Sequence, residues 1–248
     1  MRASVALVSL GLIACGHPSG ATPDSPTTID AAVDASIDAP VDAPAGFGVL
    51  SGMCGAITPA DLTGPTPRVV RVSFEFMREY MDPADRPLLT AGGQHLANTP
   101  NAGGSSGLSE IFAYEELARC EAASLLKTET EIVYDTVSKK TDMEILLATH
   151  KIGVSVTRAF AFPLGTTYTL DAATALLTKK LGDIPLSTAS VSAGDRWDKQ
   201  FLAILAYDDA AADTTAQAWS MLDPSLQGDT IVILTATNGA DTFVYTNQ

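Results

Sequence analysis

The stretch FLAILAYDDAAADTTAQAWSMLDPSLQGDTIVILTAT, residues 201–237, decides the fold class. Its ends, 201–207 and 230–237, are unbroken apolar runs. Between them, Ala211, Thr215, Ala218, Trp219 and Leu222 recur at the spacing of one helical face. A strand that is apolar on both sides needs a sheet covered on both faces. Strand, helix and strand of this kind therefore predict an α/β layering.

Moving outward, the same logic recurs. Residues 152–159 read as a strand in which Ile152, Val154 and Val156 alternate with Gly153, Ser155 and Thr157. Thr169 is a helix cap and Gly182 a stop signal, which predicts a helix over 170–181. Residues 130–134 and 143–148 read as strands flanking a turn at 137–140, and 108–126 as a helix burying Ile111, Tyr114, Ala118, Ala122 and Leu125. The predicted order is α-β-β-β-α-β-α-β. That makes residues 108–248 an α/β (α+β) core with a mixed central sheet and helices on both faces. Residues 47–107 read as a loop-rich cap on the same domain, with one alternating strand at 69–76 and a turn at Gly92-Gly93.

The other end of the chain speaks to location. Arg2 precedes an apolar run over 5–13 that is too short to span a bilayer as a helix. The run closes in Leu12-Ile13-Ala14-Cys15, which resembles the lipobox of bacterial lipoproteins. That resemblance implies a signal peptide over 1–14 and a lipid on Cys15. The implied protein is exported and anchored to the cell envelope, and Gly16 after the cysteine fits the outer membrane better than the inner. Residues 15–46 then form a tether rich in Ala, Asp, Pro, Ser, Thr and Gly without Phe, Trp, Tyr, Lys or Arg. Apart from His17 the segment has no aromatic or basic residue, and such a composition buries too little apolar surface to offset ordering entropy. Asp30, Asp34, Asp38 and Asp42 recur every fourth residue, stacking like charge on any helix formed there.

The formal charge is −14, and the tether holds only Asp24, Asp30, Asp34, Asp38 and Asp42 of the 29 acidic residues. The folded part is thus acidic too, which disfavours nonspecific nucleic-acid binding. The one partner the sequence points to is the membrane, through the lipid; the ligand is unknown. With Cys15 lipidated, Cys54 and Cys120 remain, and either a disulfide or two buried thiols is compatible with the sequence. His17, His95 and His150 show no metal-ligand spacing.

The predicted order, with Asp142 opening the second strand of the meander, resembles the core of the PD-(D/E)XK nuclease superfamily. The strings LLKTETEIVYD (125–135), KKTDMEI (139–145), IGVSVTRAF (152–160), LLTKKLGDI (176–184) and RWDKQFLAILA (196–206) resemble the eukaryotic "AAC-rich mRNA clone" proteins. That likeness spans roughly residues 50–237 and implies no activity. The nuclease likeness implies a restriction-endonuclease-like fold and, if catalysis is retained, a Mg²⁺ held by carboxylates with a lysine that activates water. Asp142 occupies the first metal-ligand position. Ser155 and Thr157 occupy the positions of the second acid and the lysine, so the motif is degenerate. Hydroxyls are poor ligands for a hard cation.

Two further residues can complete an altered site. Lys180 lies on the apolar face of the 170–181 helix, near Leu176 and Leu177, and can reach the sheet beside Asp142 or extend along the last turn to water. Glu115 can supply another ligand or pair with Arg119 four residues on. The reading is a tethered, endonuclease-like domain with a binding or structural role and no assured cofactor. The alternative is a Mg²⁺-dependent extracytoplasmic nuclease using Asp142, Lys180 and Glu115.

Overall fold

The computed structural model describes residues 41–42, 46–101 and 106–246. The 1–14 signal segment, Cys15 and almost all of the 15–46 tether lie outside the described residues. In chain order the elements are β1 (Val41–Asp42), β2 (Gly48–Gly52), α1 (Pro59–Thr63), β3 (Arg68–Phe76), α2 (Ala91–Asn98), α3 (Gly107–Cys120), β4 (Ser124–Thr128), β5 (Met143–Leu147), β6 (His150–Ala159), α4 (Leu170–Ser190), β7 (Lys199–Ala206), α5 (Asp209–Met221), α6 (Pro224–Gln227), β8 (Ile231–Gly239) and α7 (Thr242–Thr246).

The strands form a mixed sheet in the order β1-β2-β3-β8-β7-β6-β5-β4. β4, β5 and β6 make an antiparallel meander, while β6, β7, β8 and β3 run parallel. The unbroken apolar runs are explained by burial on both faces. Phe201, Ala203 and Leu205 of β7 join one core with Phe112 and Leu117 of α3. Leu202, Ile204 and Ala206 join a second core with Leu177 and Leu181 of α4 and Ala211 and Ala218 of α5.

Several elements differ from the sequence expectation. The segment 47–107, expected as a loop-rich cap with one strand, places β2 and β3 within the sheet and also carries α1 and α2. Val41–Asp42, expected within the tether, pairs with β2. Gly92 and Gly93 lie in α2, not in a turn. A β-carbon on Gly92 would meet the Tyr114 hydroxyl at 2.1 Å, and one on Gly93 would meet Glu115 Oε1 at 2.0 Å, so the glycines let α2 lie close against α3. The helix expected over 108–126 ends at Cys120. Ala122 then takes a left-handed conformation (φ 54°), and Ser124–Thr128 gains ladder bonds from β5.

Residues 130–134 are not a ladder strand, because Glu131 accepts from the Thr128 amide and hydroxyl and folds the chain into a turn. The segment keeps a single bridge, Tyr134 to Val191. α4 passes Gly182 and Pro185 and ends at Ser190. Burial of Leu181, Ile184, Ser187 and Ser190 along the extra turns offsets the propensity cost of both residues.

Candidate cleft at the open edge of β6

β5 is half as long as β6, so beyond the Met143–Val154 pair one edge of β6 has no neighbouring strand. Asp142 enters this gap just before β5. Its Oδ2 accepts from the Val156 amide at 2.6 Å, carrying the ladder one step past the end of the strand. From α4, Lys180 Nζ donates to the Val156 carbonyl at 2.8 Å. Lys180 therefore turns inward, and with α4 running to Ser190 it lies in mid-helix, away from the helix C-terminus expected of it.

The third member is Glu110, in the first turn of α3 and 5% exposed. Its Oε1 accepts from the Ser106 hydroxyl (2.6 Å) and the Asn101 amide (2.7 Å). Burial raises the Glu110 pKa, as does repulsion from Glu129, while Lys180 opposes the rise. Burial, followed by repulsion from Glu110, pushes Asp142 up to about 7, with Lys180 and the Val156 amide pulling the other way. Glu110, Asp142 and Lys180 are thus within electrostatic reach of one another. Sequence reasoning missed Glu110 because an acid in a first helical turn reads as a dipole partner.

Glu115 is elsewhere. It is fully buried, its Oε1 accepts from the Thr90 amide (2.8 Å) and hydroxyl (2.7 Å), and its Oε2 has no hydrogen-bond partner. Arg119 stands 4.0 Å from that oxygen, so the expected surface pair is a loose contact with one partner inside the core. Ser155 is buried and Thr157 half-buried on β6. Glu144 on β5 is fully buried, and Lys151 Nζ lies 3.0 Å from its Oε1 without the alignment of a hydrogen bond. Cys54 and Cys120 are joined by a disulfide.

The donor set does not fit a two-carboxylate magnesium centre. The position across from Asp142 is Ser155, and among the described residues no group of three or more His, Cys, Asp or Glu side chains is placed to hold a metal ion. Next to the cleft, a cavity of about 620 Å³ opens among Glu110, Tyr80, Ile111, Phe243, Leu96 and Glu129. Its walls follow the carboxyl ends of β3 and β8, where open α/β sheets place ligands.

One known protein can be set beside this chain. The AAC-rich mRNA clone AAC4 protein of Dictyostelium discoideum is similar to it. The identity is 40% over 158 residues, covering 61% of this chain and 23% of that protein. The chain thus spans less than a quarter of the length of this relative. No family model and no solved structure matches.

Proposed function

We propose that the chain is an exported protein, lipid-anchored to the bacterial cell envelope at Cys15. Its α/β unit would have a restriction-endonuclease-like core that serves binding or structure, not phosphodiester hydrolysis. The core reading is supported by the run α3, β4, β5, β6, α4, β7, whose strands neighbour one another in that order, antiparallel and then parallel. One observation carries the non-catalytic reading: Asp142 and Lys180 both spend a polar contact on the backbone of Val156, with hydroxyls at 155 and 157 where an acid and a lysine would be needed. The anchor reading rests on the LIAC string.

The meeting of Asp142, Glu110 and Lys180 favours the second reading, a nuclease with an altered site. A cleavage assay separates the two. Purified protein with Mg²⁺ or Mn²⁺ is expected to leave DNA and RNA intact. Cleavage that is lost in both Asp142→Ala and Lys180→Ala, with both variants folded, would establish the nuclease. Labelled fatty acid should enter the wild type and not Cys15→Ser; equal labelling would remove the anchor.

A further inference from the structure

A cavity of about 410 Å³ lies at the amino ends of β7 and β8, between the later turns of α4 and the short helix α6. It shares no lining residue with the cleft at Val156. Its apolar wall is Leu181 and Ile184 of α4 with Trp197 ahead of β7, each no more than 6% exposed, and Leu226 of α6 stands in the same lining. That lining also holds the two residues that weaken the interior of α4, Gly182 and Pro185.

Packing calls for neither of them. Apart from its chain neighbours and the adjoining backbone of α4, a β-carbon on Gly182 would meet no heavy atom within 4 Å. Pro185 is exposed, so its ring fills no core position. What Pro185 does is withhold an N–H, and the Leu181 carbonyl loses the donor that a helix sends from four residues on. Leu181 is only 2% exposed, and among the described residues no donor outside α4 reaches its carbonyl. A sheltered carbonyl short of a donor favours whatever can supply one.

The charged residues of the lining are engaged. Lys199 Nζ donates to the Gly64 carbonyl at 2.6 Å and lies 3.4 Å from Asp229 Oδ2. Asp198 Oδ2 accepts from the Lys151 amide at 3.2 Å and lies 3.3 Å from His150 Nδ1. Burying a further charge here would need a partner that is already taken.

We propose that this cavity binds a small, uncharged, mainly apolar molecule with one hydrogen-bond donor. Its body lies against Leu181, Ile184 and Trp197, and its donor meets the Leu181 carbonyl. Gly182 leaves the room and Pro185 leaves the acceptor, which is why α4 carries both. Cavities of this size suit small molecules that bury most of their surface.

Calorimetric titration of the full chain, in one detergent buffer throughout, compares indole, its donor-free isostere benzothiophene, and the charged relatives tryptamine and indole-3-acetate. Indole should bind about threefold to tenfold more tightly than benzothiophene, the scale of one net hydrogen bond, and more tightly than either charged probe. Pro185→Ala supplies the missing N–H to the Leu181 carbonyl and should bring indole down to the level of benzothiophene, leaving benzothiophene unmoved. Gly182→Leu, whose side chain enters the cavity, should weaken both by at least about tenfold. Both variants should melt at or above the wild type, since each replaces a residue that weakens a helix. Absent or equal binding of indole and benzothiophene, tighter binding of a charged probe, indole binding unmoved by either substitution, equal losses of both probes in Pro185→Ala, or a lower melting temperature of either variant would each overturn the proposal. Nucleic-acid cleavage is read separately, so failure here leaves that comparison standing.

Discussion

Glu116 is a side chain strongly at odds with its surroundings. It lies on α3 and is 2% exposed, and both of its oxygens face the Thr235 hydroxyl of β8, at 2.7 and 2.8 Å. One hydroxyl cannot replace the solvation of a carboxylate, and burial pushes its pKa up from 4.5 to about 8. The folded chain keeps this proton after the unfolded chain has lost it. Stability therefore falls as pH rises from about 4.5 to about 8. Asp142, raised from 3.8 to about 7, works in the same direction over a slightly lower window. Glu116→Gln should melt near the wild type at pH 4 and well above it at pH 8, by on the order of a few kcal/mol. An equal difference at both pH values, measured by thermal unfolding, would show that Glu116 does not titrate in this way.

At the scale of elements, the close approach of β6 to the segment that leads into β7 depends on Gly153. A β-carbon there would meet the Trp197 ring at 2.7 Å, and Trp197 is itself buried with Ile132 and Val191. Gly153→Ala should cost about 1–3 kcal/mol by overpacking. A denaturant midpoint equal to that of the wild type would mean that the ring moves aside freely. Strands β7 and β8 were legible because an apolar run has one stable home, between two helical layers, and β6 because Ile152, Val154 and Val156 alternate with smaller or polar residues. β4 and the 130–134 turn were not. Leu125-Leu126 fits a helix or a strand equally well, and the capping of Thr128 by Glu131 is a side-chain choice that no periodicity records. Gly182 and Pro185 read as stops because their local cost is visible in sequence, whereas the packing that overrides it is not.

Across the molecule, the Cys54–Cys120 bond ties the chain after β2 to the end of α3, across a sequence separation of 66. Closing a loop of that length in the unfolded chain is worth about 4 kcal/mol. The Cys54→Ser/Cys120→Ser double variant should lose roughly that amount, read from its urea midpoint, and the wild type should titrate no thiol at these positions without reductant. Two free thiols, or an unchanged midpoint, would contradict the bond's presence or its contribution.

The α/β layering and the acidic charge were determined by sequence alone, because burial on two faces and net charge depend on which residues are present and at what period. The cleft was decided only by tertiary structure. Asp142, Lys180 and Glu110 lie 32 to 70 positions apart in chain order, and nothing local in the sequence selects Glu110 over Glu115. They meet because β5 stops short of β6, leaving one carbonyl and one amide of Val156 at an open edge that α3 and α4 approach from opposite faces. An unpaired strand edge draws in whatever polar side chains can reach it, and reach is a property of the folded sheet.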